Sequence, residues 1–201
     1  AIRNLLRVDD KTGFCQPCLS PIWDTGLAVH SLAEANGSDE TGELKRAAEW
    51  LAEKQILDVE GDWVERRPGL SPGGWPFEYA NDYYPDVDDT AVVALALDRM
   101  DREKFRENVE RAAEWILGMQ SKNGGWGSFD ADNNYDYLNH IPFADHGALL
   151  DPPTSDVTAR CIGMLAQLDS DAHAESIRRG VNFLKAEQET DGSWFGRWGT
   201  N

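Results

Sequence analysis

The 201-residue sequence predicts an all-α fold built from repeated helix pairs, and three observations carry that prediction. A basic residue followed four positions later by an aromatic ring and nine positions later by Gln occurs three times. Each copy is followed by Gly-x-Trp, and a second set of helix starts, each at an Asp, recurs in step. No segment shows a convincing two-residue strand period, whereas self-similarity at this spacing marks stacked supersecondary units that share one core.

Taken in order, the first helix of each pair opens at Asp24-Thr25, Asp89-Thr90 and Asp156-Val157, at intervals of 65 and 67 residues. Asp is favoured there because its carboxylate accepts free backbone N–H groups at a helix start. The second helices run from Arg46 to Gln55, Arg111 to Gln120 and Arg179 to Gln188, with the Gln residues 65 and 68 apart. Gly61-Asp62-Trp63, Gly124-Gly125-Trp126 and Gly192-Ser193-Trp194 then stop them, since Gly readily adopts the conformation that ends a helix. The repeats therefore span approximately 20–65, 86–128 and 155–198 of a single unit covering 1–201. Gln55, Gln120 and Gln188 are placed to bond freed carbonyls or a neighbouring repeat, and Trp63, Trp126 and Trp194 to pack on an adjacent outer helix.

Composition removes several classes of function. With 36 acidic against 19 basic residues and a net charge of −17, the chain offers no basic patch to neutralise phosphates, which excludes a nucleic-acid partner. Three cysteines make no disulfide framework. Cys15-Gln16-Pro17-Cys18 is half of a zinc site, and only Cys161 remains to complete it. The loop Asp130-Ala131-Asp132-Asn133-Asn134 fails as a calcium loop, because Tyr135 stands where Gly is needed and Ile141 where Glu is needed. It reads as a solvated linker, and His140 and His146 beyond it fit no metal pattern, so no metal site is predicted. No stretch approaches the ~20 apolar residues of a membrane span. With no initiator Met and no signal peptide, the chain reads as a piece of a longer protein.

Asp86-Val87-Asp88-Asp89-Thr90 carries the chemistry. It lies between Tyr83-Tyr84-Pro85 and the apolar run Ala91–Leu97, where a loop enters a buried helix starting near Asp89. Asp89 alone is explained as a helix cap. One cap needs one side chain, so the other carboxylates are in excess. Like charges this close cannot all ionise in a dry site, and a carboxyl kept neutral there can donate a proton to something apolar.

Together these residues resemble a known family. Arg-x3-aromatic-x4-Gln followed by Trp is similar to the QW repeat of triterpene cyclases, and Asp86–Thr90 to the D-x-D-D-T motif of squalene–hopene cyclases. The connecting text is similar too: Ser20-Pro21-Ile22-Trp23-Asp24-Thr25, Asn139-His140-Ile141-Pro142-Phe143 and Gly192–Gly199. The resemblance covers essentially the whole chain. It implies a central segment of a longer enzyme, forming part of an α/α barrel of inner and outer helices. It further implies cyclisation of squalene, or a related linear polyprene, to hopene or hopanol without a cofactor. Asp88 would be the proton donor, Asp86 and Asp89 would hold it, and Arg160 with Asp156 would flank it where relatives carry His or a basic residue. Trp23, Phe77, Phe129 and Trp198 would line the cavity and stabilise cations, Phe129 standing where relatives often have Tyr. The full-length protein would sit at the cytoplasmic face of a bacterial membrane, in contact with it mostly through parts outside this chain, and the resemblance allows a homodimer.

Two other readings stay open at this level. An α/α-barrel glycoside hydrolase would need two carboxyls flanking a sugar bond. A non-catalytic helical repeat scaffold would present a polar concave surface.

Overall fold

The computed structural model describes residues 6–8, 11–15, 19–36, 42–141 and 149–197. A short antiparallel hairpin, β1 (Leu6–Val8) and β2 (Gly13–Cys15), precedes the helical body. Six helices follow among the described residues: α1 (Pro21–Asn36), α2 (Glu43–Glu53), α3 (Val87–Asp101), α4 (Arg106–Met119), α5 (Ser155–Asp169) and α6 (Ala174–Ala186). Between α2 and α3 lie a 3-10 turn at Asp62–Glu65 and a two-residue ladder pairing β3 (Trp75–Pro76) with β4 (Pro85–Asp86). The class is all-α. The two short ladders are too brief to leave an alternating pattern in the sequence.

The helices form two layers. α1, α3 and α5 pack side by side as an inner row, and α2, α4 and α6 each lie against the inner helix of their own pair. Burial follows from that placement. α3 is buried nearly all round, from Val87 to Asp98, because it has neighbours on both sides and one behind. The outer helices are one-faced: Leu44, Ala48 and Leu51 of α2, and Val109, Ala112, Ala113, Ile116 and Met119 of α4, recur at helical spacing and meet the core.

The repeat joint is a set of hydrogen bonds that the three copies share. The Gln side chain donates to a glycine carbonyl, Gln55 to Gly73 (2.7 Å), Gln120 to Gly124 (2.8 Å) and Gln188 to Gly192 (2.9 Å). The indole N–H of Trp75, Trp126 and Trp194 donates back to the outer helix, at Leu51, Ile116 and Leu184. In the first repeat the turn tryptophan is therefore Trp75, preceded by Gly73-Gly74, and not Trp63. The tail from Gln55 is twenty residues long rather than the six seen after Gln120 and Gln188, and Gly61-Asp62-Trp63 is a nearer look-alike inside that insertion. Trp63 is buried in a packing role, edge-on to Trp115 with ring centroids 6.0 Å apart.

Gln55 and Gln120 also reach the next repeat. Gln55 donates to the Asn108 carbonyl of α4 (2.9 Å), and Gln120 to the Ser176 carbonyl of α6 (2.9 Å). Glycine is required where the turn touches that helix. A Cβ on Gly124, whose φ is +96°, would lie 2.5 Å from the Arg179 carbonyl oxygen.

Candidate active site

The site forms where the inner helices begin. α3 starts at Val87, and its cap is Asp86: the Asp86 Oδ1 accepts from the N–H groups of Asp88 (2.7 Å) and Asp89 (3.3 Å). Asp89 is therefore not the cap that its position in the sequence predicts. The chain turns into the helix three residues earlier, under the pull of the β3–β4 ladder and of Thr90. The Thr90 hydroxyl donates to the Asp86 carbonyl (2.6 Å) and accepts from the Trp75 N–H (2.9 Å). Capping by Asp86 leaves Asp88 and Asp89 in the first turn with their carboxyls uncommitted to the backbone.

Arg160, on α5, reaches across to Asp88 with both arms of its guanidinium. Its Nη2 lies 2.6 Å from Asp88 Oδ2, and its Nε contacts Oδ1. The same guanidinium stacks on the Trp23 ring of α1, 5.2 Å from the centroid. Three inner helices thus contribute to one cluster: Trp23 from α1, the carboxylates from α3, and Arg160 with Asp156 from α5. They line a cavity of about 740 Å³ together with Phe77, Phe129, Tyr84 and Ser128. Trp198 and His146 lie outside the described residues, as does Cys18. Tyr84 was not among the expected cavity rings, although its place beside Pro85 put it next to the acid turn.

Burial dominates the electrostatics. It pushes Asp89 up to about 9, helped by the charges of Asp86 and Asp88. It pushes Asp86 up to about 7, against the two backbone N–H groups that favour the anion. Asp88 is also raised, because burial outweighs the pull of Arg160. Asp89 is 1% exposed and its Oδ1 has no hydrogen-bond partner, the arrangement expected of a carboxyl that stays neutral. Near neutral pH the cluster as a whole therefore carries protons on carboxyl groups at the wall of an aromatic-lined cavity. Among the described residues no group of His, Cys, Asp and Glu is arranged to hold a metal ion, and no helix is long and apolar enough to cross a membrane.

The turn tryptophans and glutamines stand apart from this cavity as repeat joints. The loop after Trp126 is not a solvated linker. Ala131 is fully buried, Asp132 pairs with Arg67 (3.1 Å), and the N–H groups of 128–130 are gathered by Asp151. Nothing in the sequence marked Asp151, a lone acid between Leu150 and Pro152.

A row of helix pairs with an acid cluster at the start of its central inner helix defines a class of protein: an α-helical repeat fold bearing a buried carboxyl cluster at an aromatic-lined cavity. Residues 19–201 match the squalene-hopene cyclase C-terminal domain. The chain is 58% identical over its whole length to the squalene–hopene cyclase of Zymomonas mobilis subsp. mobilis, covering 32% of that protein, and 55% identical to that of Schizosaccharomyces japonicus, again covering 32%. It is 50% identical over 92% of its length to the enzyme of Alicyclobacillus acidocaldarius, covering 30%. The chain belongs to the squalene–hopene cyclase family and spans about a third of the length of these relatives.

Proposed function

We propose that the full-length protein containing this chain cyclises squalene, or a related linear polyprene, to hopene or hopanol, starting by protonation of a terminal alkene. One observation carries the reading: Asp86, Asp88 and Asp89 share a cavity with Trp23, Phe77 and Phe129 while Arg160 holds Asp88 in a two-armed pair.

In this reading Asp88 is the donor. The alkene π electrons take its proton, forming a C–H bond and a tertiary cation, and the Asp88 carboxylate left behind is stabilised by Arg160. Asp89, with the most strongly raised carboxyl, is the proton store, and Asp86 holds the turn that keeps the two in place. An alkene is a very weak base, so the acid must be both protonated and strong. Burial supplies the first property and the guanidinium the second. Arg does not relay protons as His does, so recharging Asp88 draws on Asp89 or on water. Trp23, Phe77 and Phe129 supply rings to the travelling cation without offering a nucleophile, each contact contributing about 2 kcal/mol when desolvated, and the family resemblance adds Trp198, which lies outside the described residues. Loss of a proton at the end gives hopene, and capture of water gives hopanol.

The cavity's ring lining favours this reading over a polar scaffold. The rest of the protein would close the helix pairs into the α/α barrel and supply the contact with the cytoplasmic face of the membrane. Full-length protein given squalene without added metal should yield pentacyclic product by gas chromatography. Normal turnover by Asp88→Asn would remove Asp88 as the donor, and glycosidase activity without squalene turnover would replace the reading altogether.

A further inference from the structure

We propose that Asp151 is a positioning residue of the site: its buried carboxylate holds the turn 127–130, and through that turn it sets both the Phe129 ring and the start of α3. The inference rests on the cyclase reading above and adds to it a residue that does not touch the cavity chemistry.

Three backbone N–H groups converge on this one carboxylate. Ser128 donates to Oδ1 (3.0 Å), and Phe129 (2.6 Å) and Asp130 (2.7 Å) both donate to Oδ2. Asp151 is 7% exposed, and burial raises its carboxyl while the three oriented dipoles favour its anion, each worth more in this nearly dry setting than in water. Its own N–H is tied to the Asn133 carbonyl (3.1 Å), which fixes the carboxylate from behind. The approach is close enough that a Cβ on Gly127 would lie 2.7 Å from Asp151 Oδ2 and 2.6 Å from its backbone oxygen.

The other edge of the same turn is bonded to the acid helix. The Ser128 carbonyl accepts the Val87 N–H at 2.7 Å. Asp86 caps the N–H groups of residues 88 and 89 but not that of 87, so Ser128 completes the capping of α3. Asp151 thus lies one turn of backbone away from both kinds of group the reaction needs. Phe129 has its N–H clamped and its ring in the cavity, and Val87 leads directly into Asp88 and Asp89. Asp151 is also among the charges that raise Asp86.

Asn at 151 keeps the shape but offers one acceptor oxygen and an NH2 group to three donors, so at least one N–H of the turn loses its partner. A ring displaced by a fraction of an ångström no longer faces the cation it should stabilise, and cyclisation ends early. A purely structural residue would lower the amount of active enzyme without changing which products form.

The test uses the full-length protein with squalene, comparing wild type, Asp151→Asn, Phe129→Leu and the double variant. Turnover by Asp151→Asn should fall about tenfold, with at least a severalfold rise in partly cyclised products. In the Phe129→Leu background the same change should add little to the product shift, because both act on one ring. Lower yield with an unchanged product ratio, or fully additive shifts, would overturn the proposal. If Asp151→Asn fails to fold, Asp151→Glu, which keeps the charge but moves the oxygens, is read by the same ratio. Absence of any cyclised product from wild type would instead sink the functional reading itself.

Discussion

The two ends of α3 treat buried acid in opposite ways. At its C-terminal end Asp98 is fully partnered: Arg102 donates through Nε (2.7 Å) and Nη2 (3.0 Å), and Gln167 through Nε2 (2.9 Å). Gln167 in turn accepts from Arg99, which pairs with Glu34 of α1, so three inner helices are laced together there. Cations near a helix C-terminus are favourable as well. At the N-terminal end three carboxylates lie together, the Arg160 guanidinium pairs with Asp88, and Asp89 keeps an oxygen with no partner at all. Stability alone would favour the first arrangement at both ends. On the function proposed above, the second serves to keep an acid both neutral and strong, and its cost falls on a helix whose other end is well tied down.

The sharpest way to break the comparison is to neutralise one acid at each end of the full-length protein. Asp88→Asn should cut cyclisation by roughly 10³-fold or more, the upper range for loss of an acid catalyst, with little change in melting temperature. Asp98→Asn should leave turnover within about twofold while removing about 1–2 kcal/mol of stability, the usual cost of a weakened hydrogen-bonded cluster. Squalene turnover and thermal melting of both variants decide it. Equal activity losses at the two ends would erase the distinction.

Arg160→Gln probes the next largest effect. Removing the cation leaves Asp88 a weaker acid, so turnover should fall roughly 10- to 100-fold. The direction in pH is opposite to that of a simple loss of fold. Arg160 pulls the Asp88 carboxyl downward, so without it the high-pH limb of the rate profile should move to higher pH even as the maximum drops. A lower maximum with an unmoved limb would separate Arg160 from Asp88.

How much of this was legible in the sequence differs from element to element. The helix pairs were legible because apolar spacing, Gln and Gly-x-Trp recur locally, and the acid cluster because its residues are contiguous. Trp75 was missed because the first repeat's tail is long and holds a second Gly-x-Trp, and the bonds from Trp75 to Leu51 and from Gln55 to Gly73 tell the two apart. Asp89 as cap was a one-turn error. The β3–β4 ladder starts the helix earlier than the apolar run does, and two-residue strands leave no period to read. Arg160 and Trp23 entered through family resemblance, and the structure brings them into contact. Asp151 had no local signal, since its partners lie 21 to 23 positions away and are backbone atoms, which no side-chain pattern reports.

The second repeat's turn and the third's make the same internal bonds, yet Trp126 is fully buried and Trp194 is 47% exposed. The difference is the outer helix of a following pair. Ser176 and Arg179 of α6 bond to Gln120, and Arg179 also reaches the Ser121 carbonyl (2.8 Å). Gln120→Ala should therefore cost about 1–3 kcal/mol, because it removes the donor to the Gly124 and Ser176 carbonyls and one of the acceptors of Arg179 at the joint. Activity per folded molecule should be unchanged. Denaturant titration alongside turnover measures both, and a stability loss below that range would mean the joint is held by packing alone.

The smallest effect tests whether Asp89 carries a proton at rest. Its carboxyl is raised from 3.8 to about 9, so between those values the folded protein holds a proton that the unfolded chain has released. Stability from this group is fully present below the unfolded value and drains away as pH rises through the folded one. Asn at 89 cannot ionise and mimics the neutral form. At about pH 5 wild type and Asp89→Asn should melt within a few degrees of each other, and by about pH 9 the variant should have lost less. Asp86, raised to about 7, remains in both and leaves each curve a residual slope. Asp98→Asn serves as the reference from the quiet end of α3. Parallel curves for wild type and Asp89→Asn would mean that Asp89 is ionised throughout, and the proton would then have to reside on Asp86 or Asp88.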